Sequence, residues 1–205
     1  MKRIIITAGP TQEAIDPVRF ITNHSTGKMG YSIAEFAKQK NEIVLISGPV
    51  HLAIPAGVKL IQITTAEEML QAVLSEINSA DVLIMTAAVA DYKPVSYSTQ
   101  KIKKSNQDLS IELERTNDIL LEVSKLKKAG QLFIGFAAES ENLLENAKDK
   151  LVRKNLDFIV ANDISRKDIG FGSSNNQVAI ISKQGIKELP KMSKNKVAEE
   201  ICKLF

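Results

Sequence analysis

The chain has 205 residues, 44% hydrophobic and 25% charged, enough for one globular domain with a substantial core and too few for two full-sized ones. Trp is absent and aromatics make up only 5%, which disfavours a stacking platform for single-stranded nucleic acid; the net charge of +3, spread along the chain, suits small anionic ligands better. A single cysteine, Cys202, excludes an intramolecular disulfide and any Cys-based metal spacing, and the apolar run from Ile4 stops at Thr7-Ala8-Gly9-Pro10, too short for a signal peptide or a membrane span. A soluble cytoplasmic protein is expected.

In chain order, residues 4–7, 43–47, 59–64, 82–86, 132–136 and 158–161 are short β-rich apolar runs that read as strands buried on both faces. Between them, 32–39, 66–78, 118–128 and 141–154 show amphipathic helical periodicity. Thr65 with Glu68 three residues on is a capping-box signature. This alternation predicts an α/β fold, a Rossmann-like, doubly wound and mainly parallel sheet in one domain over 1–205. Two stretches interrupt it. Residues 9–29 form a long loop containing Pro, Asp and Asn, and 91–115 form a Lys-rich flap with a β excursion. Within the excursion, 109–114 alternates strictly and predicts a strand with one buried face, a candidate dimer contact. Residues 177–182 and 186–189 flank Gly185 as a closing hairpin, and 193–205 reads as a terminal helix.

Polar segments directly after predicted strands are candidates for a ligand site, because open α/β sheets bind ligands beyond the carboxyl ends of their strands. Gly9-Pro10-Thr11, Ala88-Val89-Ala90-Asp91, Ala137-Ala138-Glu139 and Asn162-Asp163 stand there, although each alone is also what an ordinary βα loop looks like. Asn23-His24-Ser25-Thr26-Gly27-Lys28-Met29-Gly30 precedes a helix and offers small residues near backbone N–H groups, where anions are favoured. It matches neither a Walker A loop nor a dinucleotide fingerprint, and Gly27 and Gly30 also suit a tight turn and close packing. Lys101-Ile102-Lys103-Lys104 reads either as a solvated flap or as a mobile cation source over phosphates. Lys150 and Lys154 share one helix face, as a surface pair or as a polyphosphate clamp. Two histidines, His24 and His51, do not assemble a nucleophilic relay, and Cys202 fits an apolar stripe with Val197 and Ile201.

Six ordered stretches together resemble the phosphopantothenoylcysteine synthetase (phosphopantothenate–cysteine ligase) family, often the C-terminal half of a bifunctional bacterial flavoprotein. They are residues 15–30, Ala87-Ala88-Val89-Ala90-Asp91-Tyr92, Lys101-Ile102-Lys103-Lys104, Gly135-Phe136-Ala137-Ala138-Glu139, Arg153-Lys154-Asn155-Leu156-Asp157 and Gly170-Phe171-Gly172-Ser173. The resemblance implies a ligase of coenzyme A biosynthesis. It would activate 4′-phosphopantothenate with a nucleotide, CTP before ATP, together with Mg²⁺, and join the acyl-nucleotide to L-cysteine. It further implies a homodimer and, since the first predicted strand begins at Ile4, no FMN and a separate phosphopantothenoylcysteine decarboxylase.

Carried over by position, Asn23 would engage the acyl-nucleotide and Lys101 would support activation. Gly9, Ala88, Asp91, Thr116, Asn117, Asp118, Ile119, Phe136, Lys150 and Lys154 would contact the nucleotide, and His24, Ser25 and Gly27 the acyl substrate, with Asn23. The resemblance leaves metal ligands unassigned. Thr116-Asn117-Asp118-Ile119 departs from the family's usual Asn-Pro-Asp-Ile, which bears on base identity more than on reaction class. The competing readings are a non-catalytic nucleotide-binding subunit of a decarboxylase complex and an NAD(P)-dependent reductase, the latter lacking its fingerprint.

Overall fold

Ile4, Ile5 and Ile6 carry β-branched side chains restricted at χ1, which favours an extended backbone, and all three are completely buried. They form the centre of β1 (Arg3–Ala8) in the computed structural model, which describes residues 1–104, 108–139, 141–163 and 175–205. There follow β2 (Gln12–Ala14), β3 (Phe20–Thr22), α1 (Lys28–Ala37), β4 (Glu42–Ser47), β5 (Lys59–Gln62), α2 (Ala66–Glu76), β6 (Val82–Met85), β7 (Tyr92–Pro94) and β8 (Leu113–Arg115). The remainder comprises α3 (Ile119–Ser124), β9 (Leu132–Glu139), α4 (Leu143–Arg153), β10 (Phe158–Asp163), β11 (Asn175–Asn176), β12 (Val178–Ser182), β13 (Gly185–Glu188), β14 (Met192–Ser193) and α5 (Lys194–Cys202). The predicted Gly170-Phe171-Gly172-Ser173 match lies outside the described residues.

Eight strands make one sheet in the order β13-β12-β10-β9-β6-β1-β4-β5. Neighbours from β5 to β10 are parallel, and β12 and β13 close the far edge antiparallel. The chain therefore winds outward from β1 through β4 to β5, then returns to β6 on the other side of β1. Strand order reverses between β1 and β6, so the loops leaving these two strands part and open a crevice at their carboxyl ends. The doubly wound reading of the sequence holds.

Period-two alternation explains why Ile4, Ile5 and Ile6 of β1 are all apolar. Ile4 and Ile6 join the layer covered by α1 and α5, whereas Ile5 joins the layer with residues of α2, α3 and α4. Burying each such side chain is worth ~1.5–3 kcal/mol, so a sheet covered on both faces needs no polar stripe. The predicted capping box of α2 is present: Glu68 N donates to Thr65 Oγ1 at 3.1 Å and Thr65 N to Glu68 Oε2 at 3.2 Å. A further cap comes from β2, where the buried Glu13 Oε1 accepts Ala66 N at 2.8 Å.

Several boundaries move. The first helix starts at Lys28, earlier than the periodicity suggested, because Gly27 adopts φ 73° and turns the chain into it. Leu132–Glu139 and Phe158–Asp163 run past their predicted ends, carrying paired strand out to the crevice. The strand predicted over 109–114 with a buried face is corrected to Leu113–Arg115, paired only with Tyr92–Pro94. Leu109, Ile111 and Leu113 are exposed in the single chain, since among the described residues no second layer covers this ribbon. The loop 9–29 holds an unpredicted hairpin, β2 with β3. Among the described residues no helix is long and apolar enough to cross a membrane.

Candidate active site

The two loops at the strand-order reversal are bonded to each other. Thr86 Oγ1 donates to Thr7 O at 2.6 Å, Ala87 N to Thr7 Oγ1 at 3.2 Å, and Ala88 N to Gly9 O at 2.9 Å. Beyond them Thr11 N donates to Ala88 O and Ala90 N to Thr11 Oγ1. Small side chains at Ala87, Ala88 and Ala90 allow this approach, and the result is a rigid floor at the carboxyl ends of β1 and β6.

Against this floor lies a cavity of about 540 Å³, lined by residues 23–30 and 86–89 and by Phe136, Ala137, Ala138, Asn162, Asn176 and Lys194. The N-terminus of α1 faces it. Gly27 caps that helix without a side-chain hydrogen bond, no acidic residue occupies the first turn, and a Cβ on Gly30 would stand 2.6 Å from both Ala8 Cβ and Thr86 Oγ1. The packing reading of Gly30 applies: it lets the helix sit directly on β1 and β6, which brings the helix's first N–H groups to the cavity.

Asn23 spans the cavity's edge. Its Nδ2 donates to Ala88 O at 3.2 Å and to Val89 O at 2.9 Å. Two carbonyl acceptors fix the orientation of the carboxamide, because the flipped group would set oxygen against oxygen. Oδ1 is left as the unused acceptor among the described residues.

A second cavity of about 590 Å³ adjoins the first. It is lined by Asp91, Tyr92, residues 115–121, Phe136, Arg153 and Lys154, and it shares Ala87, Val89 and Phe136 with its neighbour. Thr116 is tied to the floor through Thr116 Oγ1 to Ala90 O (2.6 Å) and Thr116 N to Asp91 O (3.0 Å). Asn117 Nδ2 donates to Glu67 Oε2, and Ile119 is buried. Asp118 caps α3 by accepting Leu121 N and pairs with Lys154 at 2.9 Å. Burial pulls the Asp118 carboxyl upward, but the Lys154 ammonium, the Leu121 N–H and the charge of Arg153 outweigh it and hold the group below its ordinary value.

The structure brings Asn23, His24, Ser25, Gly27 and Ala88 into one cavity, Asp91, Thr116, Asn117, Asp118, Ile119 and Lys154 into the other, and Phe136 into both. Three candidates line neither. Gly9, at φ 75°, turns the chain at the end of β1, where a Cβ would meet Val50 Cγ1 at 2.9 Å and Gly48 O at 3.1 Å. Lys150 pairs with Glu139. Lys101 is exposed on the flap.

A family model described as the DNA/pantothenate metabolism flavoprotein C-terminal domain matches residues 1–205. The chain belongs to this family. It is 50% identical over 203 residues to the coenzyme A biosynthesis bifunctional protein CoaBC of Bacillus subtilis, covering 98% of this chain and 50% of that protein. Its identity to the CoaBC protein of Vibrio cholerae serotype O1 is 47% over 207 residues, 100% of this chain and 52% of the relative. The chain thus spans about half the length of the curated relatives it matches. The crystal structure of a CoaBC C-terminal domain superposes with a TM-score of 0.83 at 47% identity, covering 99% of this chain and 93% of that one.

Within the family fold, residues that sequence reading did not assign also reach the cavities. Arg115 and Arg153 line the second cavity. Lys194 lines the first, with 8% of its surface exposed, and burial together with the charge of Lys28 holds its ammonium below the ordinary lysine value. Asn162 Oδ1 is buried with no partner among the described residues. Lys194 opens a helix nearly 170 residues after Lys28 in the chain, so no local pattern links them; only the packing of α5 on α1 does.

Proposed function

We propose that this chain carries the ligase step that joins 4′-phosphopantothenate to L-cysteine in coenzyme A biosynthesis. The supporting observation is the pair of adjoining cavities, about 590 and 540 Å³, that meet at Ala87, Val89 and Phe136. A reaction that first couples an acid to a nucleotide needs two substrate-sized sites sharing one wall, with the reacting atoms at the junction.

In this reading the nucleoside, CTP before ATP, occupies the cavity of Asp91, the 116–119 wall, Phe136 and Lys154. The acyl substrate lies along residues 23–27, and the α1 N-terminus with Lys28 attracts phosphate. The substrate carboxylate attacks the α-phosphorus; a P–O bond forms and pyrophosphate leaves. Lysine charge, Lys101 among it, offsets the charge that builds on the departing group. Mg²⁺, if it enters with the nucleotide, would supply further positive charge to the departing pyrophosphate beside these lysines.

In the second half-reaction the cysteine amine attacks the acyl carbon. A C–N bond forms, the C–O bond to the nucleoside monophosphate breaks, and the amine loses a proton. Asn23 suits this step: its Nδ2 is engaged by Ala88 and Val89, and Oδ1 is available to accept an N–H of the incoming amine. The exposed apolar side chains Phe20, Val95, Tyr97 and Leu109 fit a homodimer contact, and the product would pass to a phosphopantothenoylcysteine decarboxylase.

The test is pyrophosphate release by the purified chain with Mg²⁺, 4′-phosphopantothenate and either CTP or ATP, with and without cysteine. Release that requires phosphopantothenate, with amide formed only when cysteine is present, is the expected result and identifies the nucleotide. Folded protein that releases none with either nucleotide would overturn the proposal.

A further inference from the structure

Asp16 is a carboxylate with a fully buried side chain in the turn between β2 and β3. Its Oδ1 accepts Val18 N and Arg19 N, both at 2.8 Å, which any Asx turn would do. Its Oδ2 does something else. It accepts Arg19 Nε at 3.0 Å, Arg19 Nη2 at 2.6 Å and, from far along the chain, Ile102 N at 3.1 Å. The same Arg19 Nη2 donates to Ile102 O at 2.6 Å. Both backbone groups of Ile102 are therefore held, one by each member of the ion pair. A third bond, Ser98 N to Ile15 O at 3.0 Å, ties the flap four residues earlier.

The flap needs such a tie. Within the single chain Val95, Tyr97 and Leu109 are exposed, and among the described residues the β7–β8 ladder spans only Tyr92–Pro94 and Leu113–Arg115, so apolar burial inside the chain does little to fix the loop. A buried charge is a costly way to anchor a loop where an apolar contact would serve. What the ion pair provides is direction: Asp16 holds the N–H of the 101–102 peptide and Arg19 the C=O of the 102–103 peptide, and the first of these planes carries the Cα of Lys101. Burial by itself would raise the Asp16 carboxyl, yet the N–H groups of Val18, Ile102 and Arg19 and the guanidinium hold it far below the carboxylate range.

We propose that Asp16 is a positioning residue for the flap lysine Lys101, acting through Arg19 and Ile102. What Lys101 does once positioned rests on the ligase reading; that the latch sets its place does not.

Two measurements separate these. The first is a double-mutant cycle on the pyrophosphate burst with Asp16→Asn, Lys101→Gln and the pair. Asp16→Asn is expected to slow the burst at least ~10-fold with little change in nucleotide KM, as loss of alignment does. In the Lys101→Gln background the same change should cost less than ~2-fold, because coupled residues are not additive. Losses that multiply would overturn the proposal. The second is tryptic cleavage after Lys101, Lys103 and Lys104, which is independent of any activity. Asp16→Asn should accelerate it, at least ~10-fold, under conditions where the rest of the chain resists. An unchanged rate overturns the latch even if the chain is a ligase. Accelerated cleavage in a chain that releases no pyrophosphate would sink the ligase reading and keep the latch. Should Asp16→Asn fail to fold, Ile102→Pro removes the long-range donor without touching the buried carboxylate and gives the same contrast.

Discussion

Lys154 Nζ stands 2.9 Å from Asp118 Oδ2, and both residues line the same cavity. The pair joins the C-terminal end of α4 to the N-cap of α3, so one contact serves the wall of this cavity and the fold beneath it.

Lys154→Met is expected to raise nucleotide KM severalfold with a smaller effect on kcat, read from steady-state pyrophosphate release. Its effect on stability near pH 7 should be no more than about 1 kcal/mol, because Asp118 is partly exposed and solvent screens the pair. The pH dependence has a definite sign. A carboxyl held below its ordinary 3.8 stabilises the fold fully above that value and loses the contribution as pH falls through its lower folded value. The difference in urea midpoint between wild type and Lys154→Met should therefore shrink on going from neutral pH to about pH 3.

Asn23 offers a sharper contrast between two substitutions. Asn23→Ala removes the bonds to Ala88 O and Val89 O and should leave pyrophosphate release intact while the acyl-nucleotide accumulates. Asn23→Asp sets a carboxylate against those two carbonyls and should be worse than alanine, by ~10-fold or more in amide formation, since an unpaired and repelled polar group costs ~1–3 kcal/mol. Quenched-flow detection of the acyl-nucleotide distinguishes the steps. Aspartate performing better than alanine would remove the carbonyl contacts from the mechanism.

Gly30→Ala tests the seat of α1. The added methyl would stand 2.6 Å from Ala8 Cβ and Thr86 Oγ1, inside ordinary contact distance. Overpacking of this kind costs ~1–3 kcal/mol, so a lower urea midpoint is expected. Because the helix must lift from β1 and β6, affinity for the anionic substrate should fall with it.

Cys202 should be a sluggish thiol. Burial pushes it up to about 12 from an ordinary 9.0. The thiolate fraction at neutral pH is then ~1000-fold below that of an unperturbed cysteine, and iodoacetamide should label it slowly until urea unfolds the chain. Rapid labelling of the folded protein would mean that the C-terminal end of α5 opens readily.

Much of the molecule was legible in its residues. Runs such as Ile4-Ile5-Ile6 and Val82-Leu83-Ile84 can be apolar on both faces only in a sheet covered on both sides, so the α/β class follows from local pattern. Thr65 with Glu68 marked a helix start because both capping partners lie within four residues of each other. Ala88-Val89-Ala90-Asp91 stood out as a polar segment following a strand and residues 23–30 as one preceding a helix, whereas residues 116–119, Phe136 and Lys154 were assigned by family resemblance; all of these except Ala90 line a cavity. Tertiary structure decided what depends on distance through space. Lys150 and Lys154 look equivalent on one helix face, yet one meets Glu139 and the other Asp118, and only the second reaches a cavity. The alternation of 109–114 promised a buried face that no neighbouring layer supplies among the described residues. Asp16 lies in the predicted 9–29 loop, where only the fold brings Ile102 to it from the flap, and Lys194 lies in the predicted 193–205 helix, which only packing on α1 sets beside Lys28. Hydrophobic period and capping are set by neighbours along the chain, and the sequence states them directly. A carboxylate's partner or a lysine's burial is set by whichever element folds against it, and that is fixed only when the strands choose their order.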